Sequence, residues 1–120
     1  MRAEDHWAKA TRLETSRSKL NEGDDYEIII WSCIHGGAHL VNAALHKLGI
    51  TEESRDYIHS DKLESDMDIP RDVVEMLSAL HSIELLGPRF VRGSELADPQ
   101  VLQFCLRTYG NLKATITKLI

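Results

Sequence analysis

The sequence predicts an all-α fold, an antiparallel up-and-down bundle of four to five helices. Three observations carry that prediction. Apolar residues recur at spacings of three and four in four long segments, Gly, Pro, Asn and Asp stand between those segments, and no segment holds a strand pattern of ordinary length. The chain has 120 residues, 42% of them hydrophobic, enough for one core without disulfides or a structural metal, so a single domain over 1–120 is expected.

The first helix is expected from about Ala3 to Leu20, where Trp7, Ala10, Leu13, the aliphatic stem of Arg17 and Leu20 share a face. Asn21-Glu22-Gly23-Asp24 breaks it. Asp24 or Asp25 can cap the second helix, whose apolar set runs from Ile29 and Ile30 through Cys33, Leu40 and Leu45 to Leu48 and stops at Gly49. The β-branched run Ile28-Ile29-Ile30 could open a strand, but the helical period after it outlasts any ordinary strand. Thr51 followed by Glu52 and Glu53 predicts a short third helix through Tyr57, Ile58 and Lys62-Leu63, with a thin apolar face. Glu64 to Asp68 reads as an acidic loop. Pro70 takes the first position of a fourth helix carrying Val73, Val74, Leu77, Leu80 and Leu85, which Gly87-Pro88 ends. Arg89 to Ser94 is expected to be a connecting loop. Asp98-Pro99 caps a last helix that runs from Val101 to Leu119.

Charge is unevenly spread. Residues 1–20 and 76–120 each carry a net +2, whereas 21–75 carry −9, within a total of −5. An acidic middle argues against a broad nucleic-acid face, which needs basic patches that release counterions. The acidic N-terminus Met-Arg-Ala-Glu-Asp-His and the lack of a run of about 18 apolar residues argue against secretion and membrane spanning. Cys33 and Cys105 sit far apart in sequence among apolar neighbours, as reduced core residues do, and the expected compartment is cytoplasmic.

The second helix carries an unusual second face. His35, His39 and His46 fall within about 40° of one another opposite the apolar set, near Trp31, Ser32 and Asn42, and no Asp, Glu, Lys or Arg occurs from Ile28 to His46. This face, with Trp31, His35, His39, Asn42 and His46, is a candidate ligand or subunit contact, or a buried polar seam. The i, i+4 pair His35 and His39 could hold a metal, with further ligands from His59, Asp61 or Glu64, while His46 lies about 10 Å from His39 along the axis. Gly36 stands where an HExxH motif would need glutamate. With Gly37 it reads as a close helix crossing, not a phosphate loop. No cofactor is expected.

Acid–base candidates are sparser. Arg55 and His59 form an i, i+4 pair that could clamp a phosphate and move a proton, or could simply pair with the acids around them. His81, near Leu77, Leu80 and Leu85, suits a partly buried structural role; Arg89 lies eight residues on.

The order of features resembles small bacterial and archaeal HEPN domains. The likeness rests on Asp24-Asp25-Tyr26 opening the second helix, the aromatic, small-residue and histidine seam from Trp31 to Leu45, and Leu86-Gly87-Pro88-Arg89 before a capped final helix. The resemblance implies a helical bundle, usually a homodimer. Such a protein either cleaves RNA without metal or accompanies a nucleotidyltransferase as a noncatalytic partner, as in a toxin–antitoxin pair. Ribonuclease members carry an arginine four to six residues ahead of a histidine near the end of the helix before the last. Here that region reads Leu80-His81 through Pro88-Arg89, with the histidine first, and Arg55 to His59, with three residues between them, lies on the wrong helix. The expectation is therefore a noncatalytic interaction module that binds a protein partner or a nucleotide-like ligand. An atypical pair, Arg89 with His81 or Arg55 with His59, is the enzymatic alternative.

Overall fold

In the computed structural model, which describes residues 1–57 and 69–120, the chain is an all-α bundle. Among the described residues there are four α-helices, a single π-helical turn and no strand: α1 (Ala3–Arg17), α2 (Tyr26–Lys47), α3 (Arg71–Glu84), the π turn (Gly87–Val91) and α4 (Pro99–Leu119). Helix α2 is the hub and packs against α1, α3, α4 and the π turn. Its length and composition would suffice to cross a membrane, yet 67% of its apolar window is buried inside the bundle.

The breaks follow from local chemistry. Helix α1 ends three residues before Leu20, where Lys19 and Leu20 N–H turn back to the carbonyls of Ser16 and Arg17. Asn21 Oδ1 then accepts from the N–H groups of Gly23 and Asp24. Asp25 holds the N-cap position of α2, but its carboxylate accepts from Asn21 N–H instead of capping the helix. At the other end, Gly49 takes φ +74°, Gly49 N–H donates to His46 O and Ile50 N–H to Leu45 O. That pair of bonds satisfies two orphan carbonyls and stops the helix where glycine predicts. Pro70 lies one position before α3 instead of inside it, and Asp98 Oδ1 caps α4 through Val101 N–H at 2.9 Å.

Two expectations are corrected. The segment from Thr51 to Tyr57 is turn and coil, not the start of a third helix; the rest of that predicted helix and the acidic loop lie outside the described residues. A helix would need Tyr57 N–H for its own carbonyls, but Asn42 takes it. The expected loop after Gly87 is in part the π turn, because burying Phe90 pulls the chain back toward α2 and Arg92 N–H reaches Gly87 O.

The glycine pair makes the close crossing expected of it. A Cβ at Gly36 would stand 3.0 Å from the Tyr109 hydroxyl, and one at Gly37 would stand 2.9 Å from Leu80 Cδ1. Cys33 and Cys105 are buried and free, and their thiols meet between α2 and α4. Contact with Cys33 and burial both push the Cys105 thiol up, away from reactivity. Glu14 accepts from the Tyr109 hydroxyl and pairs with Lys113, and Arg17 donates to Ser32 Oγ, tying the C-terminal half of α1 to its neighbours.

Candidate functional site

The polar side of α2 opens on a cavity of about 720 Å³, within the size range of small-molecule sites. Trp31, His35, His39 and Asn42 line it, as do Ile34 and Ala38 from the same helix. Gly87, Pro88, Val91 and Arg92 of the π turn and its exit close another side, with His81, Glu84 and Leu85 from the end of α3. The Trp31 and His35 rings pack with centroids 4.2 Å apart. His81 is exposed there, not partly buried as its apolar neighbours suggest. Arg89 does not line the cavity: its guanidinium is held by Glu95 at 2.7 Å. Arg55 is exposed in the coil before Tyr57, and His59, Asp61 and Glu64 lie outside the described residues.

The floor of the site comes from two residues that the sequence reading did not single out. His6 of α1, 2% exposed, sits between His39 and His46, with ring centroids 5.1 and 5.3 Å away. Its Nδ1 meets His39 Nδ1 at 2.9 Å, and its Nε2 meets Asp56 Oδ1 at 2.8 Å. His46 Nε2 reaches the same Asp56 oxygen at 2.8 Å, while its Nδ1 faces Thr51 Oγ1 at 2.7 Å. The Met1 amino group lies 3.4 Å from that oxygen. Helix α1, helix α2 and the chain after it thus converge on one carboxylate. His46, predicted on the same face as His35 and His39, is turned to this floor and is not among the residues that line the cavity.

Asn42 sets the position of Asp56. Its Oδ1 accepts from Tyr57 N–H at 2.7 Å and its Nδ2 donates to Tyr57 O at 2.6 Å, so the segment is clamped one residue beyond the carboxylate. Partial burial pushes the Asp56 carboxyl up, but the hydrogen bonds from His46 and His6 outweigh it and bring it down to about 2. Burial pushes His6 down, against the pull of Asp56. Burial, then the neighbouring His6, also push His39 down.

These directions assign the protons. An ionised Asp56 accepts from His6 Nε2–H. A neutral His6 then presents a lone pair at Nδ1, which accepts from His39 Nδ1–H. His39 is left with its lone pair at Nε2, on a ring that lines the cavity. The His6–His46–Asp56 group is also the set whose ligand atoms, all within 4.8 Å of one another, could hold a metal among the described residues; His35 is not in it. A signal for His6 exists in the sequence. It lies with Ala10, Leu13 and Arg17 within about 60° on a helical projection, at the middle of the buried stripe, whereas Trp7 sits at its edge.

Compared with protein-family models, curated proteins and solved structures, the chain finds no match.

Proposed function

We propose that the chain is a noncatalytic binding module that takes a nucleoside or nucleoside monophosphate in the cavity beside α2. One observation carries this reading: Trp31, His35, His39 and Asn42, on the uncharged side of the hub helix, line a cavity of about 720 Å³. The Trp31 indole, packed at 40° against the His35 ring, offers an aromatic face for a base. His39 Nε2 supplies an acceptor, and Arg92, alone among the described lining residues in being Lys or Arg, supplies one cation for a phosphate. A single guanidinium suits one phosphate better than three.

The HEPN resemblance belongs with this reading, since it implies a noncatalytic partner module where the arginine–histidine motif is absent. A homodimer is its companion proposal: Trp31, 44% exposed, and Leu85, 58% exposed, border the cavity and give a second copy apolar surface to cover. Light scattering reads that state directly.

The deciding experiment is a thermal-shift panel of nucleosides and their mono-, di- and triphosphates on wild type, Trp31→Ala and His39→Ala. At a hundredfold excess over Kd, a ligand of the folded state stabilises by about 2.7 kcal/mol. The expected result is a shift by a nucleoside or monophosphate that both variants lose. No shift from any member of the panel overturns the proposal.

A further inference from the structure

We infer that His6, His46 and Asp56 form a binding site for a first-row divalent transition metal ion of the zinc class. The inference rests on the side chains at the cavity floor and holds whether or not the cavity takes a nucleoside.

The geometry is that of a two-histidine, one-carboxylate centre. His6 Nε2 and His46 Nε2 come from different helices and both lie 2.8 Å from Asp56 Oδ1, and the three ligand atoms all lie within 4.8 Å of one another. Ligands at 2.0–2.2 Å around a tetrahedral ion stand about 3.3 Å apart. Insertion of the ion therefore lengthens each contact by about half an ångström. Asp56 can supply that movement: it sits in coil and its side chain is 36% exposed. The histidine side chains, 2% and 1% exposed, stay fixed.

What separates this cluster from an ordinary polar network is the second contact of each imidazole. A metal-bound histidine keeps its other ring nitrogen protonated and needs an acceptor for it. His6 Nδ1 has His39 Nδ1 at 2.9 Å, and His46 Nδ1 has Thr51 Oγ1 at 2.7 Å. Each partner can exchange its role: Thr51 is a hydroxyl, and His39 can move its own proton to Nε2. With metal on Nε2, each of the two imidazoles would carry its proton at Nδ1, facing these partners.

The donor set selects the ion. Two imidazoles favour Zn²⁺ and its neighbours Co²⁺ and Ni²⁺ over Mg²⁺ and Ca²⁺, which take oxygen ligands. His6 and Asp56 line the cavity and His46 does not, so the site adjoins the cavity at its floor.

The test titrates chelator-treated protein with Zn²⁺ by calorimetry near neutral pH, and with Co²⁺ followed by its visible absorption. The expected result is one ion per chain. His46→Gln and Asp56→Asn should lower affinity at least 100-fold, Thr51→Val about 10-fold, and His35→Ala should leave it unchanged. Far-UV circular dichroism checks that each variant is folded; Asp56→Asn keeps the side-chain shape at an exposed position and is the safest of them. Absence of stoichiometric Zn²⁺ binding by the wild type overturns the inference. So does binding that survives Asp56→Asn and His46→Gln in folded protein, or that disappears with His35→Ala. None of these outcomes bears on the nucleoside panel, so the two proposals fail separately.

Discussion

Asn42 and Tyr57 exchange two hydrogen bonds across fifteen positions of sequence, the Asn42 amide serving both the N–H and the carbonyl of Tyr57 at 2.7 and 2.6 Å. A side chain from the hub helix thereby does for this segment what a neighbouring turn would do in a helix. Asn42→Ala should remove both bonds and leave partly buried backbone groups without partners, at a cost of about 2 kcal/mol. Urea denaturation reads that loss. If Asp56 is placed through this clamp, the same variant should weaken Zn²⁺ binding in calorimetry even where it remains folded.

Stability of the metal-free protein should depend on pH in a definite direction. His6 and His39 titrate below 6.5 in the folded state. As pH falls through 6.5 the unfolded chain takes up protons that the native chain refuses, so stability drops. Asp56 has the same sign lower down: its contribution is full above 3.8 and is lost as pH falls toward about 2. Denaturation midpoints should therefore decline from about pH 8 to about pH 5, and His39→Gln should flatten that slope. A midpoint constant over this range would contradict the burial of the two imidazoles.

The glycines of the hub helix and of α4 should respond oppositely to side chains. At Gly37 a Cβ meets Leu80, itself 2% exposed and locked in the core, so Gly37→Val should cost about 2 kcal/mol. At Gly110 nothing lies within 4 Å, and Gly110→Ala should stabilise α4 by up to about 1 kcal/mol by narrowing the unfolded ensemble. Paired thermal melts decide both.

How legible the fold was depended on the range of the interaction that set each element. Helices α2 and α4 follow from period and punctuation, because Gly49 and Asp98-Pro99 act on backbone groups within four residues of themselves. The segment Thr51–Tyr57 has the local pattern of a helix start, but the backbone of Tyr57 is claimed by Asn42, which no local pattern reveals. The π turn is no more visible locally: Phe90 is buried in the core and the turn packs against α2. In the site, His35 and His39 were legible from the missing charges on their face. His6 and Asp56 were not, because the first was overshadowed by Trp7 in the same helix and the second was counted among many local acids. Only their meeting, fifty residues apart, gives them meaning.

The two halves of α1 are anchored by different means. Its C-terminal half is tied through Glu14 and Arg17 to α4 and α2. Its first turns are held by His6, one of two fully buried residues in the helix, by Trp7 packed against the core, and by the Met1 amino group on Glu53 O and Asp56. Fraying of that end gives up the Trp7 contact but spares Ala10 and the rest of the core, and so lies below global unfolding on the ladder of native-state openings. Each such opening withdraws His6 and dismantles the floor of the cavity while the core around α2 stays intact. Whatever occupies the assembled floor must then lengthen the closed intervals of this end in proportion to its concentration. Amide exchange over residues 3–10 thus becomes a gauge of occupancy, readable without knowing the chemistry of the occupant.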